Sequence, residues 1–141
     1  MALIPLGNIP GKHSCEVVVP AHAAATATEQ APVFYAPFAC KVTAVRVVAG
    51  AAVTGANTNT THLNLHNRGT DGSGTTEIAN YDLTSGNNLT AYDNYNLYAP
   101  ASGLAVAAGG VLSLQHEKVG TGLDVPALCV VVEFEPNPAV A

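Results

Sequence analysis

Between Thr61 and Gly86 the chain reads THLNLHNRGTDGSGTTEIANYDLTSG, and His62, Asn64 and His66 alternate there with Leu63 and Leu65. A repeat of two belongs to an extended chain with one apolar and one polar face, whereas a helix would scatter these residues around its circumference. A glycine-rich link, Gly69-Thr70-Asp71-Gly72-Ser73-Gly74, follows. Glycine reaches positive φ without steric cost, so the backbone reverses easily there. Ile78 to Leu83 reads as a second strand, stopped at Thr84-Ser85-Gly86. The pair is an antiparallel hairpin, and other segments follow the same pattern.

Cys15 to Val19 is a short β-prone run closed by Pro20. Ala21 to Gln30 is rich in alanine and threonine between prolines, which predicts a loop or one helical turn. Val33 to Tyr35 starts the main sheet region, and Lys41 to Val48 (KVTAVRVV) is the most β-prone run. Gly50 to Asn59 is a turn-rich link. Leu89 to Tyr98 carries a tyrosine every third residue, but intervening Asn and Asp, with Pro100 close behind, predict irregular strand and loop. Leu104 to Val106, Val111 to Leu114 and Leu128 to Phe134 complete the strand candidates, with glycine turns at Gly109-Gly110 and Gly120-Thr121-Gly122. No segment holds an apolar period of 3.6 over ten residues, and there is no internal repeat. About eight short strands with glycine and proline punctuation predict an all-β, single-domain antiparallel β-sandwich of jelly-roll type. The expected organisation is an extended N-terminal arm and linker over 1–31, a sandwich over 32–136 and a tail over 137–141.

Within the arm, Pro5 and Pro10 block regular structure, while Leu3, Ile4, Leu6 and Ile9 are apolar and need cover. They are the candidate residues for contact with a neighbour. The N-terminus lacks the charged and apolar regions of a signal peptide, so no secretion is expected, and the two glycosylation sequons then carry no meaning.

At 141 residues the chain fits one domain, able to bury about 70% of the surface its unfolded form exposes. Charged residues are only 11% against 48% hydrophobic, much of it Ala and Val. A lone globular surface carries more charge, so some of this surface is expected to be covered by copies of the chain or by a partner. The net charge is −5 and the five basic residues are scattered, which argues against nucleic acid. Apolar runs fall well short of the roughly 20 residues of a membrane span. Cys15, Cys40 and Cys129 form no C-x-x-C spacing, so neither a disulfide framework nor a zinc site is expected, and free thiols suit a reducing cytoplasm.

The five histidines (His13, His22, His62, His66 and His116) raise the question of a metal. His62 and His66 share a strand face but stand about 13 Å apart at ~3.3 Å per residue, too far for one ion. Surface or subunit-interface histidines are the better reading. Asp71-Gly72-Ser73-Gly74 lacks the alternating oxygen ligands of a calcium loop, and the glycine order is not that of a dinucleotide site. Glu77, Asp82, Asp93, Glu117 and Asp124 sit among polar neighbours, as ordinary surface carboxylates do. No catalytic residue, cofactor or metal is assigned, and no enzyme is expected. Tyr92, Tyr95 and Tyr98 are the candidates for a modest glycan-stacking patch, in a chain without tryptophan.

A set of turn and strand signatures carries a family resemblance: Pro37-Phe38-Ala39-Cys40-Lys41-Val42, Thr54 to Asn59, Asn67 to Thr76, Leu83-Thr84-Ser85-Gly86, Gly110-Val111-Leu112-Ser113 and Gly120-Thr121-Gly122-Leu123. Over about residues 33 to 135 the chain is similar to the decoration, or cement, proteins of tailed-bacteriophage heads. It departs at Gly110, where an acidic residue is expected after Gly109. The resemblance implies a β-sandwich protomer assembling as a homotrimer, made in the host cytoplasm. It implies a place on the outer capsid surface at three-fold or quasi-three-fold positions, clamping major capsid subunits. The competing readings are a glycan- or receptor-binding module of a head fibre or spike, and a cupin-like enzyme.

Overall fold

The computed structural model describes residues 10–137. They form nine strands: β1 (His13–Val19), β2 (Glu29–Tyr35), β3 (Cys40–Ala49), β4 (Thr60–Gly69), β5 (Thr76–Asp82), β6 (Asn94–Tyr98), β7 (Leu104–Val106), β8 (Val111–Val119) and β9 (Leu128–Pro136). Every pairing is antiparallel. One sheet has the order β1-β9-β3-β6, with β7 also on β3, and the other has the order β2-β8-β4-β5.

The two sheets follow from one nested hairpin. β4 pairs with β5, β3 with β6 and β7, β2 with β8, and β1 with β9. Rolling that long hairpin over itself brings β9 against β3 and β8 against β4, which is jelly-roll connectivity. The hairpin legible between Thr61 and Leu83 is its innermost turn, at the tip of the roll. Gly69 and Gly72 adopt φ of +69° and +77° in that turn. Gly72 has open space where a side chain would go. Gly72→Ala is therefore expected to cost only the left-handed penalty, about 1–2 kcal/mol, measurable by urea unfolding.

The core lies between the inner faces. Along the first sheet the inward rows are Val17, Val130, Val47 and Tyr95, then Cys15, Val132, Val45 and Tyr98. Opposite them stand Leu63, Leu65, Leu112 and Leu114, all fully buried. Valine restricted at χ1 packs well on a pleated surface, and leucine from the facing sheet fills the gaps. Phe34, Phe38, Phe134 and His13 close one end through ring contacts at 5.1–6.0 Å. Tyr81 stacks on Tyr95 at 4.0 Å and joins the sheets along the β5/β6 side.

Two features differ from the sequence expectation. First, β1 is paired to β9 along its whole length and β2 begins at Glu29, so the stretch assigned to arm and linker over 1–31 contributes sheet from His13 onward. Pro32 sits inside β2 without cost because β2 is an edge strand. Second, β8 runs five residues past Leu114, since polar Gln115 and Glu117 face outward while His116 takes the inward position. β6 and β7 both pair with β3, and β7 has the bounds expected for Leu104 to Val106. At position 110 a Cβ would come within 2.5 Å of Val106 Cγ1, which explains glycine where an acidic residue was expected.

Candidate contact surface

The outer face of the β2-β8-β4-β5 sheet is polar along its middle, with exposed Tyr35 and Val119 at its ends. On the β2-β8-β4-β5 sheet the outward rows are Gln30, Gln115, Asn64 and Asn80, then Ser113, His66 and Glu77, then Glu117, His62 and Asp82. These side chains bond across strands. Asn64 Nδ2 donates to Gln115 Oε1 at 3.1 Å and Glu117 Oε2 at 2.8 Å, and Gln30 Nε2 donates to Ser113 Oγ at 2.6 Å. His62 Nδ1 lies 3.3 Å from Asp82 and 3.5 Å from Glu117, while His66 Nε2 lies 4.0 Å from Glu77. Each histidine thus has its own carboxylates. Among the described residues no group of three or more His, Cys, Asp or Glu is arranged to hold a metal ion.

The outer face of the β1-β9-β3-β6 sheet divides in two. Towards one end Arg46 pairs with Glu133 and donates through Nε to Asn96 Oδ1. Towards the other, Val18, Cys129 and Val48 stand side by side on neighbouring strands, with Val131 one row further. Ala127 and Gly50 floor a shallow concavity of about 240 Å³ there, and Tyr92 rises at its edge. Val18 is 67% exposed and Tyr92 81% exposed, with only Tyr35, at 67% on the other sheet, comparable among the described large apolar side chains. Tyr92 is also one of two non-glycine residues with positive φ among the described residues, at 58°. Its amide bonds the Ala49 carbonyl at 2.9 Å, which pins it in this costly conformation. Val48 and Cys129 are half-buried between Val18 and Tyr92, and contiguous apolar patches of this kind mark interaction sites on folded proteins.

The three tyrosines singled out from the sequence do not share one platform. Tyr92 is exposed, Tyr95 is held in the stack with Tyr81, and Tyr98 packs against the core beside Val45. Burial pushes the Tyr95 and Tyr98 hydroxyls above the usual tyrosine range. Leu3, Ile4, Leu6 and Ile9 lie outside the described residues. Sequence reasoning missed Val18, Val48 and Cys129 as a group, because each sits in a run that reads only as strand. Register alone brings them together. The three cysteines are free; Cys40 is buried, and that burial raises its thiol to about 11, with a smaller push from Cys15.

No protein-family model matches the chain, and no curated protein matches it in sequence. Among solved structures it is similar to that of the infectious bursal disease virus Gt strain, at 15% identity and a TM-score of 0.28. A second is the crystal structure of the VP2 subviral particle of infectious bursal disease virus, at 17% identity and a TM-score of 0.26. In both cases all of this chain is covered, against 47% of the other, so it spans about half the length of those chains. A likeness this loose carries no functional conclusion.

Proposed function

We propose that this chain is a structural virion protein without enzymatic chemistry, a decoration protein that binds the outside of a tailed-bacteriophage capsid as a trimer and bridges major capsid subunits. The observation that carries the reading is the apolar end of the β1-β9-β3-β6 outer face, where exposed Val18 and Tyr92 flank Val48 and Cys129. Removing such a patch from water favours association by roughly 25 cal/mol per Å². Three copies acting together multiply modest contacts into firm attachment, since each bound protomer holds the others at high local concentration. The family resemblance in the turn signatures and the low charge of the sequence support the same reading.

Val18→Asp places an uncompensated charge in the contact while leaving an outward position that the fold does not use. It is expected to weaken saturable addition to capsids lacking the protein by at least about tenfold, with the thermal midpoint unchanged. Removal of residues 1–11, with the apolar Leu3, Ile4, Leu6 and Ile9, is also expected to weaken addition. Light scattering that finds a monomer, together with no addition to phage shells, would overturn the proposal.

A further inference from the structure

We propose that His22 and His116 form a proton-sensitive latch, which holds the β1–β2 and β8–β9 loops on one end of the sandwich and releases them on acidification. The two imidazoles stack nearly parallel, 5.1 Å between centroids and 6° between planes. Both residues are almost fully buried, at 2% and 3% exposure. His22 comes from the β1–β2 loop, His116 from the inward face of β8, opposite Leu63 on β4.

His22 is the point at which the two loops join. Its amide donates to Val125 O and its carbonyl accepts from Val125 N, both at 2.8 Å. Around that bridge Ala24 N donates to Asp124 Oδ1 at 2.7 Å, and Ala25 N to Thr121 O. Lys118 N donates to Thr28 Oγ1 at 3.0 Å. A ring from one loop thus plugs the end of the core and carries the second loop with it.

The surroundings oppose a proton on His116. His22 Nδ1 faces Glu29 Oε2 at 3.3 Å, so a neutral ring donates there and presents a bare nitrogen at Nε2. Neither His22 Nε2 nor His116 Nε2 has a hydrogen-bond partner among the described residues. A proton added at His116 Nε2 would be buried without an acceptor, against the stacked His22 ring. Glu29, from β2, is the nearest counter-charge. Asp124 is engaged by the Ala24 amide, the Glu117 carboxylate is on the opposite face of β8 with His62 and Asn64, and Lys118 adds only further positive charge. β1 and β9 offer Val19 and Leu128, which carry none. Burial, then the neighbouring His22, lowers His116 from 6.5 to about 4, with Glu29 opposing.

The sign follows from that lowering. An opened His116 takes up a proton below its ordinary value of 6.5, while the closed form refuses it until about 4. Closure is therefore fully favoured above about 6.5 and is lost progressively as the pH falls towards 4. The opening equilibrium rises by up to about tenfold per pH unit across that window.

Hydrogen exchange on the intact protein, corrected for the intrinsic pH dependence of amide exchange, tests this. Protection at residues 20–28 and 121–126 is expected to fall about fortyfold between pH 6.5 and 4.5, while β3 and β9 hold theirs. His116→Phe, which keeps a flat ring against His22 but cannot titrate, is expected to flatten that profile, and His116→Gln is a second non-titrating variant. A flat wild-type profile overturns the latch whatever the variants do, and so does a pH response that survives in either folded variant.

Discussion

Gly55→Ala is expected to destabilise the protein by about 3 kcal/mol or more, well beyond the loss at Gly72. A Cβ at Gly55 would lie 2.0 Å from Thr84 O, 2.4 Å from Asn87 O and 2.8 Å from the Thr84 carbonyl carbon. All three are backbone atoms, so no rotamer change clears them. The β3–β4 loop is laced to the β5–β6 loop at this point. Gly55 N donates to Asn88 Oδ1 at 2.9 Å, Ala56 N to Leu83 O at 3.0 Å, and Ser85 N to Asn57 Oδ1 at 2.9 Å. Val53 and Leu89 exchange both backbone hydrogen bonds just beyond. A methyl group at 55 must part the loops and give up several of these bonds together. Urea unfolding of Gly55→Ala beside Gly72→Ala measures the difference. Equal losses in the two variants would show that close backbone approach is not what requires glycine at 55.

That contrast also marks what a sequence of this type discloses. Gly69 and Gly72 announce themselves, since a glycine cluster between two alternating runs has one local purpose, and their positive φ serves it. Gly55 has the same composition around it, yet its reason is a loop-to-loop approach between segments about thirty residues apart, which no local pattern encodes. The strands were legible where apolar residues alternate or run together, as in β3, β4 and β9. The end of β8 was not, because His116 fills a core position that reads as polar. The contact surface was hidden for a related reason. Val18 and Val48 look like core in the strings VVVP and RVVAG, and only the register Val18–Cys129–Val48 shows them pointing outward together. Jelly-roll nesting, by contrast, follows once the innermost hairpin is found, because each earlier strand pairs with a later one around it.

Leu114→Ala is expected to cost about 2–5 kcal/mol, a large share of the stability of a domain of this size. Leu114 is fully buried on β8, an internal strand, in a row with Ala31 on one side and Leu65 and Ala79 on the other. Two of its three row neighbours are already alanine, so a further loss of volume has no larger side chain in that row to lean in except Leu65. The facing sheet supplies valines, whose χ1 restriction prevents them from following. The cavity therefore stays open and the loss lies towards the upper part of the range. Val18→Ala, at an exposed position on the other sheet, is expected to change stability by less than about 0.5 kcal/mol. The two substitutions separate folding from attachment. At a temperature where Leu114→Ala remains folded, its addition to capsids is expected to match the wild type, since the contact surface belongs to the opposite sheet. Val18→Asp is expected to do the reverse, unfolding normally but failing to add. If Leu114→Ala lost attachment while still folded, the contact would have to depend on the β2-β8-β4-β5 sheet instead.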